Sequence, residues 1–242
     1  MSGIISNKIV KDGLIFYLDA ANTKSFLNTS SGWNDIMDNY GTLSMSGATY
    51  ESDGLGSIAF SGGSASNLTM KSYENTTWEI WIKKTTNPSV GLLGTIFGHS
   101  STPYLAFRSN GTLHFSYKLN VGGVNTQYNL YTASGITSPT GTLYTWNDNV
   151  WYNIVCTLSM NISIPNLNSD AKIYVNGIEI VASTTLNNTS NQLPTYNKIS
   201  IGDMGGDHPF NGKVSNVKIY NRILSSSEIV SNYNTQSKRF LS

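Results

Sequence analysis

The chain has 242 residues, of which only 29 are charged (15 Lys and Arg, 14 Asp and Glu), for a formal net charge of +1. That 12% charged fraction is about half the usual value for a globular domain, and with no Lys/Arg cluster it excludes the electrostatic footprint of a nucleic-acid-binding protein. The 27 aromatic residues argue against disorder, no apolar run reaches the roughly 18 residues of a membrane-spanning helix, and the single Cys156 rules out an internal disulfide.

In place of charge the chain carries 28 Asn, 22 Gly and many Ser and Thr. All-β sandwiches commonly reach about 200–250 residues as one domain, and the six scattered Pro mark no linker. The expected organisation is an N-terminal arm over 1–11, one domain over 12–235 and a tail over 236–242. The first residues hold no apolar stretch of signal-peptide length, so synthesis without export is expected.

Apolar residues recur with the period of a β-strand. Gly13 to Asp19 reads as a first strand, and Ser57 to Phe60 as a short one stopping at Gly62-Gly63. In Thr77 to Lys83, Trp78, Ile80 and Ile82 share one face, and Glu79, Trp81 and Lys83 share the other. Leu92 to Phe97, Tyr104 to Arg108 and Leu113 to Leu119 follow, the last two joined by the hairpin signal Asn110-Gly111. Trp151 to Leu158 places Tyr152, Ile154, Cys156 and Leu158 on one face. Lys172 to Val175, Asn176-Gly177 and Ile178 to Val181 form the clearest hairpin, because Asn-Gly supplies the positive φ angles of a type I′ turn. Lys198 to Ile201 and Lys213 to Tyr220 complete the strands. Ser225-Ser226-Ser227-Glu228 is a capping box that predicts a helix over 226–234. The fold class is all-β: a two-sheet antiparallel sandwich with a short C-terminal helix.

Several of these segments, taken in order, carry a resemblance. They are Gly13 to Ala20, Trp33-Asn34-Asp35, Ser57 to Gly62, Trp78 to Lys83, Trp151 to Val155, Ile173 to Gly177, Ile201-Gly202, Phe210 to Val214 and Ile219 to Tyr233. The chain resembles the concanavalin A-like, laminin-G-like jelly-roll domains over about 12–235. More narrowly, it resembles the versions found in virion structural proteins of tailed bacteriophages. The resemblance implies two antiparallel sheets and binding of glycan or protein through loops or a sheet face.

Catalysis is disfavoured from the residues themselves. A glycosidase needs two carboxylates on one strand face, whereas Glu79 is the only acid on its strand. No Gly-x-Ser-x-Gly elbow is present. Cys156 sits mid-strand on the apolar face and reads as an inert thiol. His99, His114 and His208 lack metal spacing and read as surface residues. The sequons at Asn67, Asn75, Asn110 and Asn161 follow from composition. Calcium is a candidate cofactor at Asp203 and Asp207 in a Gly-rich loop, with Asx-type turns as the alternative.

Sugar binding needs aromatic platforms rimmed by amides and hydroxyls. Trp81, Tyr117, Tyr128, Tyr131, Tyr144 and Trp146 are the candidates, with Asn125, Gln127, Asn129 and Asn147 among them. The same aromatics could cover a sheet or meet another subunit. As an adhesin the protein should lose glycan binding with Trp81→Ala or Trp146→Ala while the fold survives. The expected function is a non-enzymatic virion surface protein, a capsid decoration or tail-fibre accessory. Its expected partners are other virion proteins, host-surface polysaccharide and further copies of itself. A bacterial cell-surface lectin module is the alternative, and a glycoside hydrolase comes third.

Overall fold

In a computed structural model the chain is described at residues 8–27, 31–71, 73, 75–89, 93–99, 102–121, 124–132, 136–137, 143–144, 146–159, 171–180, 182–188, 196–203 and 208–240. The strands run in order as β1 (Leu14–Asp19), β2 (Gly32–Asn34), β3 (Thr42–Glu51), β4 (Ser57–Lys71), β5 (Asn75–Lys84), β6 (Leu93–His99), β7 (Thr102–Arg108), β8 (Leu113–Val121) and β9 (Val124–Thr132). A small pair, β10 (Ile136–Thr137) and β11 (Leu143–Tyr144), follows. Then come β12 (Trp151–Ser159), β13 (Ala171–Val175), β14 (Ile178–Ile180), β15 (Ala182–Asn188), β16 (Tyr196–Ile201), β17 (Asn211–Tyr220) and one helix, α1 (Ser226–Ser237).

The all-β jelly-roll architecture is present, with one difference from two separate sheets. Hydrogen bonds run through a single antiparallel ladder, β14-β13-β12-β5-β17-β4-β16-β6-β7-β8-β9-β15, with β1 also on β17 and β3 also on β4. The ladder folds back on itself, so that Trp78 of β5 meets Phe97 of β6 and Phe115 of β8 edge-on, at ring distances of 4.6 and 5.8 Å. Trp78, Ile80, Ile82, Ile154, Cys156 and Leu158 all join this core, as their alternation requires. Burying each large apolar side chain is worth about 1.5–3 kcal/mol.

β4 does not stop at Gly62-Gly63; it continues to Lys71. Two glycines make the continuation feasible. A Cβ at Gly63 would lie 2.3 Å from the backbone of Gly47 on β3, where the β3–β4 register shifts. Local signals elsewhere are realised as written. Asn176 and Gly177 have φ of 52° and 79° and close the β13–β14 hairpin. Ser225 Oγ accepts from Glu228 N–H while Glu228 accepts from Ser225 N–H, and α1 runs three residues beyond its expected end.

Two carboxylates tie distant segments together. Asp53 accepts from Lys83 Nζ at 2.8 Å, Lys213 Nζ at 3.0 Å and Trp151 Nε1 at 3.2 Å. Burial alone would raise its pKa, but these donors hold the carboxyl at about 2. Glu228 is held at about 2 chiefly by its hydrogen bonds from Arg222. Both values lie below the ordinary 3.8 and 4.5. Their stabilisation is therefore complete above those ordinary values and is lost as pH falls through the folded ones. Calorimetry should show a melting temperature that is level from pH 7 to pH 5 and declines steadily between pH 4.5 and pH 2. A level profile down to pH 2.5 would remove both groups from the account.

Candidate ligand-binding face

The sheet has two outer faces, and they differ. The outer face of β12–β5–β17 carries the row Asn153, Trp81, Asn216 and the row Val155, Glu79, Lys218. Helix α1 and the residues after it cover this face. Trp81 is 0% exposed. Phe240 stacks on it at 4.1 Å and Tyr233 at 5.8 Å, and its Nε1–H donates to Gln236 Oε1 at 3.1 Å. Trp81 is thus no open platform: its ring is the anchor of the C-terminal segment. Beside it Lys218 Nζ donates to Glu79 Oε1 at 2.9 Å and to Gln236 Oε1 at 2.6 Å. Asn232 Nδ2 donates to Glu79 Oε2 at 2.7 Å and Asn153 Nδ2 to Oε1 at 3.3 Å.

Trp146 is also buried. It packs edge-on to Phe107 at 5.1 Å and Tyr152 at 4.8 Å as part of the core. Tyr117 and Tyr128 face each other in the β8–β9 ladder, and Tyr144 pairs with Ile136. The side chains of these three tyrosines lie outside the described residues. Asp203 is buried, and its carboxylate accepts from His208 N–H at 3.2 Å, as an Asx-type loop acceptor does. Asp207 lies outside the described residues. Among the described residues no three His, Cys, Asp or Glu side chains are placed to hold a metal. Cys156 is a free, buried thiol whose pKa burial pushes up.

The outer face of β7–β8–β9 gathers a different set. Register pairs Tyr104 with Ser116, Ala106 with His114, and His114 with Tyr131. His114 stacks on Tyr131 at 4.4 Å and meets the edge of Tyr104 at 5.1 Å. The Arg108 guanidinium lies over the Tyr131 ring at 5.1 Å, a cation–π arrangement. His114 is only 4% exposed, a correction to its reading as a surface residue. Burial pushes its pKa down to about 4, so it is neutral at pH 7. Its Nε2 bonds Asn129 Oδ1 at 2.9 Å. Toward solvent this leaves two half-buried rings, Tyr104 and Tyr131, and the exposed Arg108.

Of the expected aromatic site residues, then, only Tyr131 is seen in a partly exposed aromatic cluster. Asn129 was among the expected rim amides, whereas Tyr104, Arg108 and His114 were missed. The signal was present in part: carrying the alternation of Tyr104, Ala106 and Arg108 across the Asn110-Gly111 turn brings His114 and Ser116 alongside.

The family model described as Concanavalin A-like lectin/glucanases superfamily matches residues 55–230. No curated protein matches the sequence. Solved structures share the fold at low identity. The binding domain of Paraclostridial Mosquitocidal Protein 1 is 15% identical with a TM-score of 0.60, covering 92% of this chain and 52% of its own. A Trypanosoma rangeli sialidase in complex with a difluoro-KDN compound is 16% identical with a TM-score of 0.60, covering 97% of this chain and 34% of its own. This chain thus spans about half of the first and a third of the second. Domain 4 of AbnA, a GH43 extracellular arabinanase from Geobacillus stearothermophilus, was solved with arabinotriose. It is 14% identical with a TM-score of 0.58, and the match covers 93% of this chain and all of that domain.

Proposed function

The chain belongs to the concanavalin A-like lectin/glucanases superfamily, and on that premise we propose that it is a non-enzymatic glycan-binding protein displayed on a virion surface. The observation that carries the glycan reading is the cluster of Tyr104, Tyr131 and Arg108 on the outer face of β7–β9. The exposed parts of these half-buried rings offer apolar contact to sugar C–H groups, and a guanidinium supplies hydrogen-bond donors beside them. The arabinotriose complex of AbnA domain 4 lends support from a protein of the same fold. The non-enzymatic reading draws support from Glu79, whose two oxygens are occupied by Lys218, Asn153 and Asn232 beneath α1. The proposal assigns no metal.

The virion placement draws on the motif order that resembles tailed-phage structural proteins and on the low charge. A surface rich in Asn, Ser and Thr lets copies pack closely without mutual repulsion. Multivalent display then makes weak single contacts effective.

The test is a glycan array read with wild type and Tyr131→Ala. Wild type should bind at least one glycan without cleaving it, and Tyr131→Ala should lose about tenfold or more in affinity, the equivalent of a stacked ring contact. A wild type that binds nothing on a broad array would leave contact with neighbouring proteins as the role of this face. A density map of the intact particle, with this chain absent from its surface, would sink the virion placement.

A further inference from the structure

Charge is unevenly spread along the chain. Between Glu79 and Asp148 the sequence contains no Asp or Glu, while Lys83, Lys84, Arg108 and Lys118 fall within that stretch. β6 to β9 all lie inside it, and β15, which pairs with β9, has no carboxylate either. Lys83 is paired with Asp53 and Lys84 with Asp148. The chain has three arginines. Arg222 is paired with Glu228 and Arg239 with Asp19. Arg108 alone has no ion pair among the described residues, and it is exposed. Its guanidinium rests on Tyr131 with its N–H edge unused among the described residues.

We propose that this face selects a glycan bearing carboxylate groups, with Arg108 receiving the carboxylate while the sugar ring lies on Tyr131 and Tyr104. The inference rests on the glycan-binding reading above and specifies its ligand class. A planar guanidinium fork matches a carboxylate in two parallel hydrogen bonds. No acidic side chain on β7, β8, β9 or β15 competes for it or repels an anionic chain. His114 is held neutral by burial and adds no charge at pH 7, and among the described side chains Arg108 is the cation that lies against the tyrosines.

The experiment is titration calorimetry with polygalacturonate, hyaluronate and polysialate, each beside its carboxyl-reduced form, using wild type, Arg108→Gln, Arg108→Lys and Tyr131→Ala. At least one carboxylated polymer should bind about tenfold more tightly than its reduced form, the size of one charge-assisted contact. Arg108→Gln should erase that difference, Arg108→Lys should restore part of it, and added salt should weaken it. If carboxylated and reduced forms bind alike and Arg108→Gln binds as wild type does, the acidic preference is overturned. Loss of binding in Tyr131→Ala would then show that the glycan face itself survives. If wild type binds neither these polymers nor any neutral glycan, the glycan reading falls and the acidic preference falls with it.

Discussion

Replacing Lys218 by Met is expected to lower the unfolding free energy by about 3–5 kcal/mol, the cost of leaving one member of a buried ion pair alone. Lys218 and Glu79 are both 0% exposed. The Lys218 ammonium spreads its donors over Glu79, Asn216 and Gln236, at 2.9, 3.1 and 2.6 Å. Without it the Glu79 carboxylate keeps, among the described residues, only Asn153 and Asn232 as donors, too little to replace the hydration lost on burial. Gln236 would lose a donor as well, loosening the grip of α1 on the sheet. The double variant Glu79→Gln with Lys218→Met removes both charges and should recover much of the loss. Urea denaturation reads both changes as a shift in midpoint at constant slope. A loss below about 1 kcal/mol, the range of exposed pairs, would mean that water reaches this pair.

This network also explains what the sequence could and could not disclose. Its strand positions were legible, because alternation in Thr77 to Lys83 separates Glu79 and Trp81 from Trp78, Ile80 and Ile82 without reference to any other segment. The capping box and the Asn176-Gly177 turn were legible for the same reason: both ends of each interaction lie within four residues. What covers Trp81 was not. Its partners Tyr233, Gln236 and Phe240 follow it by more than 150 positions, and strand periodicity says only that a face exists, not what covers it. The tail expected over 236–242 conceals the other half of the device. Arg239 donates to Gly54 O at 2.8 Å and to Ser215 Oγ at 2.8 Å, and it pairs with Asp19. Phe240 lies against both Trp81 and Trp151. The burial of His114 has a similar origin, since its neighbours Tyr104 and Tyr131 come from the two flanking strands.

The low charge therefore has two distinct structural consequences. Among the described residues most ion pairs are gathered around the β5–β17 side, where Asp53, Glu79, Asp19 and Glu228 meet Lys83, Lys213, Lys218, Arg239 and Arg222. They fasten the C-terminal helix, the segment after it and the turn at Asp53–Leu55 to one sheet face. The strands β7, β8, β9 and β15 carry no carboxylate, and there the Arg108 guanidinium lies over the Tyr131 ring. One face fixes the fold, and the other keeps two half-buried rings and an exposed arginine toward solvent.

Trp81→Ala separates these two roles. The substitution removes a fully buried ring and leaves a cavity between Tyr233 and Phe240, so the expected loss is about 3–5 kcal/mol. Phe240→Ala should fall in a similar range. The two should be less than additive when combined, because each already forfeits the stacking at 4.1 Å. A double-mutant cycle should return a coupling of about 0.5–1.5 kcal/mol for the ring pair. Below its lowered melting temperature, Trp81→Ala should bind glycan as wild type does, since Tyr131 and Arg108 stand on other strands. That is the reverse of what the sequence alone suggested, where Trp81 was a platform whose loss would abolish binding and spare the fold. If the variant instead keeps the wild-type melting temperature and loses glycan binding, the C-terminal segment must leave Trp81 in solution, and the recognition face would move to β5.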